Sequence, residues 1–361
     1  MKLILINKTF EHSDLINALK FYEINWFSIK ISSSKALLSL DKLKKFLKKK
    51  KLNNKNFIFI SSQSDHSLLL AKKLNAINFN LKNLSFSSEK ISVFKNLQRK
   101  FILNNRKILS PNFMYLEKFK NISNLPGAVK LPVIIKPNAS SGSQGVIKVS
   151  NRKKIASLLK ISSRYSVDKK ILIENYIKGT HYIIDVFCGQ YIYGIKLKSS
   201  NGILTKNIQF QRLQKNSKNI VEKKLFNATN EVIKVFNFDT NLQVTIEFIL
   251  KKDGRIYLLE AANRGGGVCI SNLIFSYLTG CDVSRLFILK WINLYKKFNK
   301  DYALRSTLKY KKVILKYSKK PPSLKERKNL IFEAKLKIKK PSIYFTDGVF
   351  LNNYVFAVKI K

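Results

Sequence analysis

The sequence predicts a mixed α/β and α+β protein in which a small parallel α/β unit precedes a larger, β-rich unit. Three observations predict this fold. Short apolar runs alternate with helical spacing over residues 1–85. From residue 88 onward, apolar runs with strand character dominate, and turn residues separate them. The third observation is a hairpin in 244–267, where Asp253-Gly254 lies between two β-rich runs.

The first unit alternates strands and helices in chain order. Strands are expected at Leu3–Ile6, Trp26–Ile31 and Phe57–Ile60. Helices are expected over Asp14–Tyr22, over Leu37–Leu47, and from a Ser64 or Asp65 cap to about Leu74. No GxGxxG segment occurs in this unit, so a dinucleotide site is not supported.

The second unit opens with a basic helix and then becomes rich in strands. Helices are expected at Lys95–Asn104, Ile155–Leu159, Leu225–Phe236 and Ser271–Thr279. Strands are expected at Val133–Lys136, Gly145–Val149, Ile171–Glu174 and Tyr182–Phe187, and a late hairpin at Asp347-Gly348.

Length and composition restrict the class of protein. The 361 residues suffice for two or three packed units, and 45% of them are hydrophobic. No apolar run approaches the roughly 18 residues of a membrane span, and we identify no signal peptide. Three cysteines, Cys188, Cys269 and Cys281, lack metal-binding spacing. We therefore expect a cytoplasmic protein with no membrane partner.

The net charge of +48 raises the question of nucleic-acid binding. Lysine, asparagine and isoleucine are abundant throughout the chain, which indicates a bias toward AT-rich codons. Zinc-finger spacing, RNP-type aromatic segments and a helix-turn-helix pattern are all missing. We therefore do not expect nucleic-acid binding, and a non-catalytic polyanion-binding protein remains the alternative from another class.

The hairpin at 244–267 brings two carboxylates together. Counting outward from a two-residue turn pairs Leu250 with Tyr257 and Glu247 with Glu260. Opposed Cβ atoms lie roughly 4.5–5.5 Å apart, and like charges there are destabilising. A cation between them removes the repulsion, and Mg²⁺ prefers carboxylate and phosphate oxygens. The alternative is a solvent-facing edge hairpin whose glutamates share no ion.

A lysine at the end of a strand precedes a loop of small residues. Lys136 closes the apolar run that starts at Leu131, and Asn138–Gly145 follows. Backbone amides in such a loop can bind phosphate. The order differs from a P-loop, because the lysine precedes the glycines.

Four blocks now agree with one family. They are Lys95–Arg99 with Pro111, Pro132–Pro137 with the glycine-serine loop, Ile171–Asp185, and Ile246–Gly267 followed by Leu278–Asp282. In this order they resemble the ATP-grasp superfamily, in particular its carboxylate–amine ligase and carbamoyl-phosphate-synthase-like branches. The resemblance implies a pre-ATP-grasp domain at 1–87, an ATP-grasp domain at 88–300 with a lid at about 112–177, and a β-rich tail at 301–361.

The resemblance also implies roles for individual residues. Lys95 and Lys136 would hold the ATP phosphates. The lid over them would consist of Ser141, Gly142, Ser143 and Gly145. Glu174 and the backbone of Tyr176 and Ile177 would bind adenine. Glu247 and Glu260 would hold Mg²⁺, or alternatively Mn²⁺. Arg264, together with Lys136, would act on the transferred phosphoryl group.

The function implied by the resemblance is an ATP-dependent ligase. It would activate a small-molecule carboxylate as an acyl-phosphate and join it to an amine, releasing ADP and phosphate. The alternative within enzymes is a carboxyphosphate- or carbamoyl-phosphate-forming member. Homo-oligomers are compatible with this class.

Some positions depart from the family pattern. Ala262 stands where many relatives have asparagine, and Asn263 would lie on the opposite side if the strand continued. We expect His181 to pack rather than to bind, and His12 and His66 to be structural. The neighbouring Lys90 or Lys100 could replace Lys95. Arg212 and Lys196 could face a substrate carboxylate or be solvated.

Overall fold

A computed structural model describes most of the chain. The described ranges are 1–8, 13–61, 64–81, 86–105, 108–117, 130–197, 207–266, 274–298, 312–318, 320–335 and 354–360. Within these ranges the strands form three sheets of three, four and eight strands.

The first sheet belongs to a parallel α/β unit. Its elements are β1 (Lys2–Ile6), α1 (Ser13–Phe21), β2 (Asn25–Ile29), α2 (Leu40–Lys49), β3 (Phe57–Ile60) and α3 (Asp65–Asn78). The strand order is β2-β1-β3, and both pairings are parallel. Ser64 is the N-cap of α3 and accepts a hydrogen bond from the Ser67 amide at 3.5 Å, so α3 begins as predicted but extends beyond Leu74.

Asparagine side chains complete the backbone hydrogen bonding at two places in this sheet. On the edge strand β3, the Phe59 N–H donates to Asn75 Oδ1 at 2.7 Å, and Asn75 Nδ2 donates to the Phe59 carbonyl at 2.8 Å. Where β1 and β2 end, Asn7 makes the same two-way exchange with Ile31, with both distances 2.9 Å, and so extends the pairing between these two strands. The backbone groups of Phe59 and Ile31 are therefore satisfied without a further strand.

The second sheet is small and antiparallel. Two helices, α4 (Ser87–Val93) and α5 (Lys95–Leu103), precede β4 (Phe113–Leu116), β5 (Val133–Pro137), β6 (Ile147–Val149), α6 (Ile155–Ser163) and β7 (Ile171–Asn175). The strand order is β4-β7-β5-β6. One face packs Val133, Ile135 and Ile173 against Leu159 of α6. Because side chains alternate along a strand, Lys136 and Glu174 lie on the other face.

The third sheet is the largest. Its elements are β8 (Thr180–Phe187), β9 (Gln190–Leu197), β10 (Asn207–Arg212), α7 (Ile220–Phe236), β11 (Val244–Leu250), β12 (Ile256–Ala262), α8 (Phe275–Thr279), α9 (Val283–Asn293), β13 (Lys312–Ser318), α10 (Leu324–Arg327), β14 (Leu330–Lys335) and β15 (Tyr354–Ile360). All pairings are antiparallel, in the order β12-β11-β8-β9-β10-β13-β15-β14.

The two faces of the large sheet have different neighbours. On one face Val232 and Phe236 of α7 pack against Ile246 and Phe248. On the other face Ile192 and Phe210 belong to a core that runs through α8 and α9 into the parallel unit. Trp291 of α9 donates from Nε1 to the Phe59 carbonyl at 2.8 Å. The parallel unit and the large sheet therefore share one hydrophobic core.

The predicted fold class is confirmed, and several element bounds are corrected. The elements α4, α9, α10, β4, β9 and β10 were not predicted. The limits of the three predicted domains stay a prediction, and the predicted hairpin at Asp347-Gly348 lies outside the described residues. None of the described helices combines the length and apolar character needed to cross a bilayer.

The β11–β12 hairpin differs from its predicted register near the turn. The turn spans Lys251–Gly254, with the Gly254 N–H bonded to the Lys251 carbonyl at 3.0 Å and a Gly254 φ of +81°. Leu250 therefore pairs with Ile256 and not with Tyr257. A β-bulge at Leu259 then adds one residue to β12, so Glu247 and Glu260 are paired as predicted.

Candidate active site

The opposed carboxylates of Glu247 and Glu260 form the centre of the site. Each side chain is 29% exposed, so both face an opening. Lys95 Nζ lies 2.9 Å from Glu260 Oε1, and Lys196 Nζ lies 3.3 Å from Glu247 Oε2. Cationic side chains thus reduce the repulsion between the glutamates.

His181 is part of this site, which corrects the expectation that it packs. His181 lies on β8, the strand next to β11, and its Nε2 lies 2.6 Å from Glu247 Oε2. Burial alone would raise the pKa of Glu247, but Lys196 and His181 outweigh burial and hold that pKa well below its usual range. Glu247 is therefore an anion at neutral pH.

A buried ion cluster joins the small sheet to the large one. Glu174 of β7 accepts from Arg99 Nε at 2.7 Å through Oε1 and contacts Lys136 Nζ at 2.7 Å through Oε2. Arg99 is fully buried and also donates from Nη2 to the Leu259 carbonyl at 2.5 Å. That carbonyl belongs to the bulge residue of β12, so the bulge supplies an acceptor that faces the second sheet.

Burial and charge act in opposite directions on this cluster. Burial is the main reason why the pKa of Lys136 falls to about 8, with Glu174 partly opposing it. Burial would raise the pKa of Glu174, but Arg99 and Lys136 together lower it. Within the described part of the chain, Arg99 Nη1 has no hydrogen-bond partner. A buried cluster with one carboxylate and two cations has a net positive charge, which suits an anionic ligand.

Lys95 is placed by contacts to the start of the glycine-serine loop. Its backbone N–H donates to the Asn138 carbonyl at 3.1 Å, and its Nζ donates to the Ser140 carbonyl at 2.9 Å. Lys95 is 3% exposed, whereas the alternatives Lys90 and Lys100 are exposed. The structure therefore places Lys95, and neither alternative, beside the carboxylate pair.

The loop itself has a backbone that favours glycine. Gly142 and Ser143 have φ values of +65° and +55°, and Gly145 has +76°. A Cβ at Gly145 would lie 2.8 Å from Tyr165 and 2.9 Å from Pro137. Within the described chain the amides of Ser141 and Gly142 have no hydrogen-bond partner. Successive backbone N–H groups in a turn can form an anion-binding concavity.

The segment after β7 lies beside the cluster. The Tyr176 amide donates to the Pro132 carbonyl at 3.0 Å, so it is already engaged. Among the described residues, the Ile177 amide has no such partner. Lys148 Nζ lies 3.8 Å from the centroid of the Tyr176 ring. Of the two amides predicted to bind adenine, that of Tyr176 is engaged, and that of Ile177 has no hydrogen-bond partner among the described residues.

Arg264 follows β12 and contacts the parallel unit. Its Nη2 lies 2.9 Å from Asp65 Oδ2, and its Nη1 donates to the Gly265 carbonyl at 2.8 Å. Thr245 Oγ1 lies within hydrogen-bond distance of the Arg264 carbonyl, at 3.0 Å, and of the Asp185 carboxylate, and its single hydrogen can be donated to one of them at a time. Burial is the main cause that raises the pKa of Asp185 to about 6.

The strand ends before Asn263, which settles the position of that residue. β12 stops at Ala262, and Asn263 is fully buried with its N–H bonded to Ser92 Oγ at 2.8 Å. Within the described part of the chain, Oδ1 and Nδ2 of Asn263 have no hydrogen-bond partner.

The donor set suits one hard divalent ion with open coordination positions. Among the described residues no group of three or more His, Cys, Asp or Glu side chains could hold a metal. Two opposed carboxylates nevertheless match the way Mg²⁺ is bound through one or two carboxylates plus substrate phosphates. Glu247 and Glu260 therefore fit Mg²⁺ on the chemistry of their oxygens.

Three residues of this cluster had no firm role in the prediction from sequence. They are Arg99, Asp65 and Lys196, and all three form ion pairs with site carboxylates or with Arg264. Arg99 follows Lys95 by four residues on one helix, so it lies on the same face. That spacing could have identified it. Arg212 lies at the surface, where its Nη2 donates to Gln190 Oε1 at 3.0 Å.

Known proteins show the same fold and, over part of the chain, a similar sequence. Residues 129–272 match the ATP-grasp domain family. The D-alanine–D-alanine ligase A of Bacillus cereus is 27% identical over 125 residues, which cover 34% of this chain and 40% of that enzyme. A D-alanine–D-alanine ligase of Bacillus anthracis is 28% identical over the same shares. The chain thus spans about two fifths of the length of these relatives.

Solved structures match almost the whole chain. The L-amino acid ligase from Bacillus licheniformis has a TM-score of 0.70 at 15% identity and covers 99% of this chain and 93% of its own. The N5-carboxyaminoimidazole synthetase from Staphylococcus aureus, complexed with ADP, has a TM-score of 0.63 at 10% identity, covering 100% and 93%. Together with the match of residues 129–272 to the ATP-grasp domain family, these similarities identify the described architecture as an ATP-grasp fold.

Proposed function

We propose that this protein is an ATP-dependent ligase that activates a carboxylate as an acyl-phosphate and joins it to an amine, with release of ADP and phosphate. One observation carries the proposal. The opposed pair Glu247 and Glu260 lies where Lys95 reaches across from α5, and Arg264 follows the same strand. Two carboxylates suited to a metal and two cations suited to phosphates thus lie close together, which supports the proposal.

The nucleotide would lie between the small and the large sheet. Lys95 and Lys136 would bind its phosphates, and the loop from Ser141 to Gly145 would cover them. The free amide of Ile177 and the carboxylate of Glu174 would face adenine. Glu174 is already bound to Arg99 and Lys136, so its role in adenine binding depends on its remaining acceptor capacity.

Glu247 and Glu260 would hold Mg²⁺. When bound, the ion neutralises phosphate charge and acts as a Lewis acid on the phosphoryl oxygens. The two glutamates must then release Lys196, His181 and Lys95 in part, because these cations contact the same oxygens.

Positioning and electrostatics account for the proposed reaction. Phosphoryl transfer depends on holding the reactants in line and neutralising the developing charge. Arg264 would stabilise charge on the transferred group, and closure of the loop over the site would exclude water from the acyl-phosphate. No nucleophilic side chain is needed, since the amine itself attacks the acyl carbon and phosphate leaves.

Amino acids are the first substrates to test. D-alanine–D-alanine ligases are similar in sequence over part of the chain, and an L-amino acid ligase is similar in fold. ADP release from Mg·ATP should be measured with pools of amino acids and other carboxylates, and the amide product should be identified by mass spectrometry. We expect substrate-dependent ADP release, reduced about 10²–10³-fold in Lys136→Ala.

Lys170→Ala is the matched control. Lys170 also pairs with a glutamate, Glu117, at 3.0 Å, but it lies at the surface. Its replacement should leave turnover unchanged. Absence of both Mg·ATP binding and substrate-dependent ADP release in the unmodified protein would contradict the proposed function.

A further inference from the structure

Asp65 comes from the parallel unit, yet its carboxylate reaches the candidate active site. It is the first residue of α3 and is 2% exposed. Its Oδ2 lies 2.9 Å from Arg264 Nη2. From the sequence, Asp65 was expected only as a possible helix cap. Ser64 is the cap, so the Asp65 side chain is available for another role.

Among the described residues, one of the three guanidinium nitrogens of Arg264 has no partner. Nη1 donates to the Gly265 carbonyl, Nη2 is paired with Asp65, and in the described chain Nε has no hydrogen-bond partner. A guanidinium is planar, so fixing two of its nitrogens also fixes the third. Burial opposes the charge, but Asp65 and then Glu260 outweigh it and raise the pKa of Arg264.

Other buried polar atoms around Arg264 are also unsatisfied. Asp65 Oδ1, His66 Nε2 and Asp185 Oδ2 have no hydrogen-bond partner within the described residues. Buried polar groups are normally paired, so a group of exceptions calls for an explanation. A polar ligand or ordered water at this place would satisfy them. Burial is the main reason why the pKa of His66 is lowered, so its imidazole is neutral at pH 7.

We propose that Asp65 is a positioning residue, which holds the Arg264 guanidinium so that Nε remains free to donate to a phosphoryl oxygen. The inference rests on the proposed function and deepens it, because it assigns the parallel unit a part in phosphoryl binding. Asp65 itself does not touch the reacting atoms. It acts through Arg264, by orienting a planar group whose other nitrogens are engaged.

Binding of orthophosphate to the Mg·ADP complex tests this without knowledge of the substrate. Titration calorimetry would compare the unmodified chain, Asp65→Asn, Arg264→Ala and the double variant. We expect Asp65→Asn to weaken phosphate binding about tenfold, equivalent to about 1.4 kcal/mol. Mg·ADP affinity without phosphate should stay within about twofold, because Asp65 contacts no other group proposed for the nucleotide.

Glu89→Gln is the matched control. Glu89 of α4 is as buried as Asp65, and it forms an ion pair with Lys72, which lies on α3 as Asp65 does. Glu89 does not contact Arg264. This variant should keep phosphate affinity. Asp65→Glu is a second test should Asp65→Asn not fold. It keeps the charge but displaces the carboxylate, so phosphate affinity should fall while Mg·ADP affinity is retained.

The double variant separates positioning from a general structural effect. If Asp65 acts through Arg264, adding Asp65→Asn to Arg264→Ala causes no further loss of phosphate affinity. Three results would each overturn the proposal. They are additive losses of phosphate affinity in the double variant, an unchanged phosphate affinity in Asp65→Asn, and no phosphate binding by the Mg·ADP complex of the unmodified chain. Failure of the ligase function is read separately, from substrate-dependent ADP release.

Discussion

Lys136 combines a buried ammonium group with a place beside phosphate-binding elements. Its pKa of about 8 follows mainly from burial, and Glu174 only partly compensates. A bound phosphate would favour the charged form. Above pH 8 the free protein must therefore take up a proton in order to bind nucleotide, and that requirement weakens binding as the pH rises.

We predict that Mg·ADP affinity falls as the pH rises above about 8, by up to about tenfold per pH unit. The Lys136→Arg variant should show no such fall between pH 7 and 9.5, because a guanidinium stays charged. Dissociation constants measured by titration at several pH values provide the test. An identical decline in both proteins would show that another group titrates.

Glu247 is the second residue whose charge is expected to control ligand binding, in this case the binding of Mg²⁺. We predict that Glu247→Gln weakens the Mg²⁺ dependence of ADP binding at least about tenfold, or about 1.4 kcal/mol. ADP binding without Mg²⁺ should not weaken. Glu333→Gln is the control, since Glu333 lies on the same large sheet and pairs with Arg327 at 3.3 Å. Unchanged Mg²⁺ dependence in Glu247→Gln would remove Glu247 from the metal site.

Among the elements, the β11–β12 hairpin shows how far sequence reasoning reached. Alternation and the Asp253-Gly254 turn predicted the pairing of Glu247 with Glu260. The turn type and the bulge at Leu259 were not predictable, because a bulge depends on the tertiary contacts of the freed carbonyl. Those contacts come from Arg99 and Lys136, which are distant in sequence. The two departures offset each other, so the carboxylate pair was placed correctly.

The glycine-serine loop permits a prediction about one backbone position. Gly145→Ala should destabilise the protein by about 1–3 kcal/mol more than Gly189→Ala. Both glycines have a positive φ, at +76° and +71°, so both variants carry the left-handed strain. A Cβ at Gly145 meets Tyr165 and Pro137, whereas at Gly189 nothing lies within 4 Å.

Urea unfolding of both variants measures this difference. Equal losses of unfolding free energy would show that Tyr165 moves aside at no cost. Nucleotide affinity should also fall in Gly145→Ala and not in Gly189→Ala, because only Gly145 ends the proposed phosphate loop.

For the whole molecule, the sequence predicted the order of the units but not how they share a core. Periodicity identified β1, β3 and α3, since each lies in a local pattern. The joining of the parallel unit to the large sheet through α9 depends on contacts far apart in the chain, such as Trp291 with Phe59. The same holds for the pairing of Asp65 with Arg264. Local patterns carry no information on such pairs.

Trp291 tests the contribution of this shared core. We predict that Trp291→Phe lowers the free energy of unfolding by about 1–3 kcal/mol, through a cavity and one lost hydrogen bond. The Phe59 carbonyl still accepts from Asn75, which limits the loss. Trp26→Phe should change it by less than about 0.5 kcal/mol, because Trp26 is only partly buried on β2. Urea unfolding followed by circular dichroism distinguishes the two, and equal effects would contradict a special role of Trp291.

Asn75 at the β3 edge of the parallel sheet has a consequence for association between molecules. An exposed edge strand is a template on which a strand of another chain can add, and this leads to aggregation. At Phe59 of the edge strand β3, the Asn75 side chain already occupies both the donor and the acceptor of the backbone. The β3 edge is thereby closed to recruitment at this position, without the charged or proline residues that commonly serve this purpose.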